Sequence, residues 1–128
     1  MKLFLLFNHE ITERQAEDAR VSLGVEKIVD LPDDLKALWQ NVPAEAPRIR
    51  AFLKPVMDWL ARHAMPGDHL LVQGDFGACY IVVNYAFNRG LVPVYSTTDR
   101  QAAEEKLSDG TVVLKHVFKH VRFRKYGE

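Results

Sequence analysis

Hydrophobic residues along this chain fall into short continuous runs that alternate with longer segments of helical spacing. The runs cover residues 2–7, 27–31, 70–72 and 91–95 and are rich in Leu and Val. Short apolar runs of this kind are typical of strands buried in a parallel sheet. Strands that alternate with helices require right-handed crossovers, which place helices on both faces of the sheet. We therefore predict an α/β fold with a Rossmann-like, doubly wound and mostly parallel sheet of about five strands.

Two capping boxes predict the starts of helices. Thr12 is followed by Gln15, and Thr98 by Gln101, at the spacing that lets a hydroxyl and an amide satisfy free N–H groups of a first turn. The first box predicts a helix directly after the first strand. The second box predicts a helix over residues 99–107, after the fourth strand.

Three further helices are indicated between these boxes. Pro32 and two acidic residues begin a short helix that ends near Gln40. A longer helix covers about residues 46–63, with Pro55 as a kink or a boundary. The helix predicted over residues 76–88 is apolar nearly all round, which indicates burial between the sheet and another surface. We regard this last helix as a candidate dimer interface.

The C-terminal region is predicted to be an extended strand or hairpin. Asp109 and Gly110 form a turn, and residues 111–126 are mostly strand formers. Alternation puts five residues on one face: His116, Phe118, His120, Arg122 and Arg124. The opposite face receives Val117, Val121 and Phe123. Lys119 interrupts this alternation, so a bulge or a break into two strands is expected.

The length and composition fit a single domain over residues 1–128. A chain of this size buries about two thirds of its unfolded surface. Cys79 is the only cysteine, which excludes a disulfide framework and a cysteine zinc site and suits a reducing cytoplasm. The first apolar run is followed by Asn8 and His9 without a cleavage motif, so we interpret it as a strand and not a signal peptide. Since no run approaches the ~20 residues that cross a bilayer, a cytoplasmic protein with no membrane partner is expected.

Basic residues concentrate at the C-terminal end although the net charge of the chain is zero. Residues 111–128 hold five Lys or Arg against one acidic residue, together with His116 and His120. A local cluster of this kind suits a discrete polyanion better than duplex DNA, which calls for a broad basic face. Basic residues also protect an edge strand against aggregation, and both interpretations stay open.

Polar residues follow two of the predicted strands. Residues 70–78 and 91–100 each pass from an apolar run into small, hydroxyl-bearing or charged residues that open a helix. The carboxyl ends of parallel strands form the edge where ligands bind, and helix N-termini there offer free N–H groups to an anion. The sequence therefore predicts a phosphate-bearing ligand. The candidate residues at this edge are Asn8, His9, Gln73, Gly74, Asp75, Phe76, Ser96, Thr97, Thr98 and Arg100.

Several of these residues also have purely structural interpretations. Asp75 and Thr98 are suitable helix N-caps. His9 is suited to end a strand, and Arg100 to lie in solvent on a helix. Asp75-Phe76-Gly77 matches the metal triplet of protein kinases by letters, but the chain lacks the glycine loop and catalytic loop of that fold. The sequence also lacks a dinucleotide fingerprint, a Walker loop, a paired-histidine zinc helix and a nucleophile elbow, so neither a metal nor a cofactor is expected.

Five segments together resemble a known group of proteins. They are residues 5–9 with Thr12 and Gln15, residues 22–25, 72–77, 95–100 and 118–126. These segments span nearly the whole chain and resemble the small single-domain CRISPR-associated ring nucleases of type III systems. The resemblance implies a homodimer with a Rossmann-like fold that binds cyclic oligoadenylate, most often the tetra-adenylate. It also implies cleavage of the ring into short linear oligoadenylates, which switches off the antiviral effectors that the ring activates.

Such cleavage is possible without a metal. Each 2′-hydroxyl of a 3′,5′-linked ring lies beside its own phosphate, so the protein has to hold the hydroxyl in line and stabilise charge. The product then carries a 2′,3′-cyclic phosphate. For this chemistry the candidate catalytic residues are His9, Arg100 and His120. The candidate ligand contacts are Asn8, Gln73, Gly74, Asp75, Phe76, Ser96, Thr97, Thr98, Lys119, Arg122 and Arg124, with Tyr95 as a second aromatic residue on which adenine stacks.

Two other functions agree with the same residues. A non-catalytic sensor or sponge of the same fold would bind the ring and release it intact. A more distant alternative is a small regulatory module that binds another nucleotide. Binding and cleavage use the same groups at the strand ends, so the sequence does not separate these functions.

Overall fold

Five strands form one sheet in the order β2-β1-β3-β4-β5. The computed structural model describes all 128 residues, except that the side chains of Gln101 and His116 are left out of the description. The strands are β1 (Lys2–Leu6), β2 (Lys27–Asp30), β3 (His69–Val72), β4 (Val92–Lys106) and β5 (Val112–Lys125). Strands β1 to β4 pair in parallel, and β5 runs antiparallel to β4. An α/β fold with a mostly parallel sheet and a C-terminal hairpin is therefore confirmed.

Four helices connect the strands in the described chain. They are α1 (Glu13–Ser22), α2 (Asp33–Gln40), α3 (Arg50–His63) and α4 (Phe76–Asn88). The capping box at α1 is confirmed, since the Thr12 hydroxyl accepts from Gln15 N at 3.1 Å and Gln15 Oε1 accepts from Thr12 N at 2.9 Å. Helix α3 begins at Arg50, later than expected, and contains Pro55. None of the helices within the described residues is long and apolar enough to cross a membrane.

The core consists of two clusters, one on each side of the sheet. Alternation along β1 sends Phe4 and Leu6 to one cluster and Leu3 and Leu5 to the other. The first cluster includes buried residues of α2, α3 and α4: Leu35, Trp39, Leu53, Val56, Leu60, Ala78, Val82 and Ala86. The second is covered by α1 through Ala19. The carboxyl ends of the parallel strands are thereby bordered by helices from both clusters.

The predicted helix over residues 99–107 is wrong. Residues 92–106 form one continuous strand, which pairs with β5 from Val94↔Lys125 to Lys106↔Val112. A turn closes this hairpin, with Leu107 N donating to Thr111 O at 2.8 Å. The capping-box residues at Thr98 give only a local preference for a helix start. The Val-rich strand β5 outweighs that preference, because it forms cross-strand contacts with the same residues. Thr98 is therefore a strand residue, and Arg100 does not lie in the first turn of a helix.

A β-bulge interrupts the β4–β5 pairing between Thr97 and Thr98, and the imperfect alternation in β5 had predicted such an irregularity. Thr97 pairs with Arg122 and Thr98 pairs with His120, so Val121 is the extra residue. The prediction that His120 and Arg124 share a face is wrong. His120 lies against α1, whereas Arg124 contacts Tyr95 on the α4 side of the sheet.

We predict that Leu53→Ala lowers the free energy of unfolding by about 2–5 kcal/mol, because it opens a cavity between α3 and its neighbours. Leu53 is fully buried in the first cluster. Urea denaturation followed by circular dichroism measures the change, and Lys54→Ala on the exposed side of α3 is the matched control. A loss below about 1 kcal/mol for Leu53→Ala, equal to that of the control, would contradict tight packing at this position.

Candidate functional site

Two cavities lie at the carboxyl edge of the sheet and share Gln73. The first, the aromatic groove, has a volume of about 650 Å³. It is lined by Gln73, Gly74, Phe76, Cys79, Tyr80, Val83, Asn84, Tyr95 and Tyr126. The second, the polar cleft, has a volume of about 320 Å³. It is lined by Phe7, His9, Glu10, Thr12, Gln15, Gln73, Ser96, Thr98, Phe118 and His120.

Gln73 holds the end of β3 to its neighbours. Its backbone N–H donates to Leu6 O at 2.9 Å, and its backbone carbonyl accepts from Trp39 Nε1 at 3.1 Å. The side-chain Oε1 accepts from Ser96 N at 2.8 Å. The regular β3–β4 register runs from His69↔Val92 to Leu71↔Val94, so this side-chain amide ties the two strands together two residues beyond the last regular pair. Gln73 thereby fixes the boundary between the two cavities.

The segment after Gln73 opens α4. A Cβ on Gly74 would lie 3.0 Å from Trp39 Nε1, so a larger residue would displace the indole. Asp75 is an N-cap, because its Oδ2 accepts from Ala78 N at 3.0 Å, and the structural interpretation of this residue is confirmed. Phe76 is 94% exposed at the mouth of the aromatic groove. A free aromatic ring thus stands beside the first turn of a helix.

Two tyrosine rings in tilted contact form the far wall of the aromatic groove. The rings of Tyr95 and Tyr126 have centroids 4.9 Å apart, and the Tyr126 hydroxyl donates to Val72 O at 2.5 Å. Burial raises the pKa of Tyr126 to about 12, so this hydroxyl stays protonated at neutral pH. Arg124 donates to the Tyr95 hydroxyl at 3.0 Å, and its guanidinium lies 5.6 Å from the Tyr95 ring. This wall can stack against a planar base and offers a cation to its phosphate.

A chain of hydrogen bonds crosses the polar cleft from α1 to β5. Gln15 Nε2 donates to Ser96 Oγ at 3.3 Å, and Ser96 Oγ lies 2.5 Å from His120 Nδ1. His120 Nε2 lies 2.7 Å from Asp18 Oδ2. Gln15, Ser96 and His120 are all buried. The fold thus brings a serine, a histidine and a carboxylate into direct contact, although 102 positions separate Asp18 from His120.

The charge state of Asp18 determines which atoms donate and which accept along this chain of hydrogen bonds. Burial raises the pKa of Asp18, but hydrogen bonds from Ser22 and His120, together with the charges of His120 and Arg122, outweigh it and the net pKa is lowered. An ionised carboxylate only accepts hydrogen bonds, so His120 Nε2 carries a proton. In the neutral imidazole, Nδ1 is then the acceptor of the Ser96 hydroxyl proton.

The remaining candidates of the first strand end lie at the rim. His9 is exposed, lines the polar cleft and meets the Phe7 ring edge-on at 5.5 Å between centroids. Asn8 is also exposed, and its backbone carbonyl accepts from Gln40 Nε2 at 3.4 Å. His9 is therefore open to solvent, whereas His120 is enclosed.

The basic candidates are dispersed along the hairpin. Arg100 lies on β4 opposite Phe118, with its guanidinium 5.8 Å from the ring. Lys119 pairs with Asp99 beyond the bulge. The Thr97 hydroxyl donates to Arg122 O at 3.0 Å and accepts from Arg122 N at 3.2 Å, so it stabilises the bulge. Thr97 and Thr98 do not start a helix, and the cradle of helix N–H groups expected there is absent from the described residues.

The structure therefore brings together five predicted residues in the polar cleft: His9, Gln73, Ser96, Thr98 and His120. It separates from them Gly74 and Phe76, which line the aromatic groove, and Arg124 on the Tyr95 wall. Sequence reasoning missed Gln15 and Asp18 as members of the site. Their spacing of three, with Ser22 four further on, marks one polar face of α1 and was a usable signal. Among the side chains that the structure describes, no group of three His, Cys, Asp or Glu is placed to hold a metal ion.

Comparison with known proteins gives two matches. The model of the "Uncharacterized protein MJ1673 family" matches residues 1–124. The chain is also 46% identical over 125 residues to "Uncharacterized protein MJ1673" of Methanocaldococcus jannaschii, which covers 98% of this chain and 96% of the relative. No solved structure matches the chain.

We predict that Cys79 in the aromatic groove reacts slowly with iodoacetamide at neutral pH. Burial, with the nearby Asp75 carboxylate, raises the pKa of the thiol to about 11. Because the thiolate is the reactive form, the rate should rise about tenfold per pH unit toward that value. Mass spectrometry measures alkylation, and protein in urea is the control, with a midpoint near the ordinary value of 9.0. Equal midpoints in the native and unfolded protein would contradict the partial burial of this thiol.

Proposed function

This chain belongs to the uncharacterized MJ1673 family, and we propose that it is a metal-independent ring nuclease with a Rossmann-like domain. It binds cyclic oligoadenylate, with cyclic tetra-adenylate as the expected ring, and cleaves it into short linear oligoadenylates that end in a 2′,3′-cyclic phosphate. The role that follows is to switch off type III CRISPR signalling. The observation that carries this proposal is the serine–histidine–carboxylate chain in a polar cleft beside an aromatic groove.

The aromatic groove supports the binding of adenine. Phe76, Tyr80 and Tyr95 present ring faces or edges around a volume of about 650 Å³. Stacking of a base on an aromatic side chain contributes about 1–3 kcal/mol and does not need an exact hydrogen-bond pattern. Arg124 on the tyrosine wall supplies a positive charge for a phosphate attached to the stacked nucleoside.

The polar cleft supports a reaction at the adjoining phosphate. Gln73 borders both cavities, so a nucleotide whose base occupies the groove carries its ribose and phosphate toward Ser96 and His120. His9, which lines the cleft, is suited to protonate the leaving oxygen, and Arg100, which lies over the Phe118 ring, is suited to the phosphate charge. Attack by the ring's own 2′-hydroxyl then requires alignment and proton transfer, which these side chains provide.

The exposed side of α4 supports a homodimer. Phe76 is 94% exposed, Tyr80 63% and Phe87 52%, and they lie at helical spacing on one side of the helix. Large aromatic residues in such a row indicate a covered surface. A second copy of this chain is the occupant we propose, because a two-fold axis at the groove would match the two-fold symmetry of a cyclic tetra-adenylate.

A non-catalytic sensor or sponge is the second candidate function. The observation that favours it is the enclosure of His120, which is 5% exposed with both ring nitrogens engaged by the protein. A fully satisfied buried network of this kind also occurs as a purely structural element. Product formation distinguishes the two candidates.

We predict that the protein cleaves cyclic tetra-adenylate in excess EDTA and that the first product has the composition of the ring or of its half. Intramolecular attack consumes no water, so the 2′,3′-cyclic phosphate product gains no mass. Liquid chromatography with mass spectrometry measures the products of cyclic tri-, tetra- and hexa-adenylate.

A ring with a 2′-methoxy group at each ribose is the matched control, since it retains the bases and phosphates but lacks the nucleophile. It should bind without being cleaved. Cleavage that requires added metal and yields a 5′-phosphate would reject the mechanism. Tight binding of the unmodified ring without any product after long incubation would favour the sponge.

We also predict that the protein is a dimer at micromolar concentration and that Phe76→Glu with Tyr80→Glu makes it a monomer. Two buried carboxylates in the proposed interface would be strongly unfavourable. Multi-angle light scattering measures the mass, and Val21→Glu, on an exposed side chain of α1, is the control. A wild-type monomer that does not dimerise with the ring would contradict the proposed interface.

A further inference from the structure

Ser96 has an unusual environment for a serine within a strand. It is 7% exposed and lines the polar cleft. Its backbone N–H donates to Gln73 Oε1 at 2.8 Å, which fixes the main chain. Its hydroxyl lies between Gln15 Nε2 and His120 Nδ1. Neither the strand pairing nor the core requires a hydroxyl at this position.

The donor directions along the chain are determined at both ends. Gln15 Oε1 accepts from Thr12 N, so the Gln15 amide nitrogen faces Ser96 and donates to it. At the other end, the Asp18 carboxylate accepts the proton of His120 Nε2. The Ser96 hydroxyl therefore accepts from Gln15 and donates to His120 Nδ1.

This arrangement leaves one lone pair of Ser96 Oγ for a donor that enters the polar cleft. A hydroxyl oxygen has two acceptor positions and one proton, of which Gln15 uses one acceptor position and His120 takes the proton. A hydroxyl group of a ligand in the cleft would donate to the remaining acceptor position of Ser96 Oγ. The geometry is that of a base whose reactive face opens into a cavity.

We propose that Ser96 accepts the proton of the attacking 2′-hydroxyl and passes its own proton to His120, which Asp18 holds in position. This inference rests on the proposed function and deepens it. Ser96 is the catalytic residue in contact with substrate, whereas Asp18 is a positioning residue that acts through His120. Gln15 directs the serine proton toward the imidazole.

The step balances in atoms and charge. The 2′-oxygen loses its proton to Ser96 Oγ and forms a bond to phosphorus, while the Ser96 proton moves to His120 Nδ1. The bond from phosphorus to the 5′-oxygen breaks, and the leaving oxygen takes a proton from His9 or from water. The imidazolium, paired with the Asp18 carboxylate, returns its proton to solvent, so that no water is consumed and the enzyme is restored.

The electrostatic surroundings of His120 favour a transient positive charge. The carboxylate of Asp18 is in direct contact, and the Ser22 hydroxyl donates to the same carboxylate at 2.5 Å. The charged or titratable groups that border His120 are Arg14, Glu17 and Asp18 of α1, Arg122 of β5, and His9 and Glu10 across the cleft. The directly bonded partner is the anion, which stabilises the imidazolium.

The test compares single-turnover cleavage of cyclic tetra-adenylate with its equilibrium binding. Ser96→Ala should slow cleavage about 100-fold or more, with a change in Kd below about threefold, since proton transfer contributes only in the transition state. Ser96→Thr retains a hydroxyl and should recover part of the rate. Asp18→Asn keeps an acceptor for Nε2 but removes the charge, and should slow cleavage at least about tenfold.

Two further measurements exclude a merely structural effect. The pH profile of the cleavage rate should change in His120→Gln, because this variant lacks the group that receives the Ser96 proton. Nitrogen-15 NMR of the histidine ring should show the neutral form of His120 protonated at Nε2, with Asp18→Asn perturbing that signal. His63→Gln and Ser108→Ala, at exposed positions outside both cavities, are the matched controls for loss of an imidazole and a hydroxyl.

Each outcome gives a decision. A folded Ser96→Ala protein that cleaves at the wild-type rate overturns the inference and leaves the proposed function intact. Protonation of neutral His120 at Nδ1 also overturns it, because the serine proton would then have no acceptor. A wild-type protein that binds the ring but never cleaves it overturns the proposed function together with this inference.

Discussion

The pairing of β5 with β4 is the interaction on which both cavities depend. Without the extra residue Val121, His120 and Arg124 would point to the same side of the sheet, because side chains alternate along a strand. The bulge moves the alternation by one residue, so that His120 reaches Asp18 on α1 while Arg124 meets Tyr95 on the opposite side. A single unpaired residue thereby places a histidine in the polar cleft and an arginine beside the aromatic groove.

Strand β4 divides the site between the two faces of the sheet. Tyr95 and Ser96 are neighbours in the chain, and alternation directs the first to the aromatic groove and the second to the polar cleft. Gln73 borders both cavities and ties β3 to Ser96 through its side-chain amide. Two consecutive residues of β4 and the side-chain amide of Gln73 therefore separate the two cavities at this edge of the sheet.

The buried hydrogen-bond chain in the polar cleft contributes to the stability of the fold and also holds the groups proposed to transfer protons. Gln15, Ser96 and His120 are removed from water, and each is satisfied by a partner within the protein. Deleting one partner leaves a buried donor or acceptor unpaired, which costs about 1–3 kcal/mol. Variants that preserve hydrogen-bonding capacity are therefore more informative here than alanine substitutions alone, since they separate lost stability from lost proton transfer.

The sequence alone determined the elements whose signals are local. The capping box at Thr12 and the apolar helix over residues 76–88 were predictable because neighbouring residues within one or two turns carry the information. The helix over residues 99–107 was predicted wrongly, because its strand conformation depends on pairing with β5 farther along the chain. The contact between Asp18 and His120 was decided by tertiary structure alone, since α1 and β5 meet only after the sheet is assembled and no local pattern records which distant partner a polar face will meet.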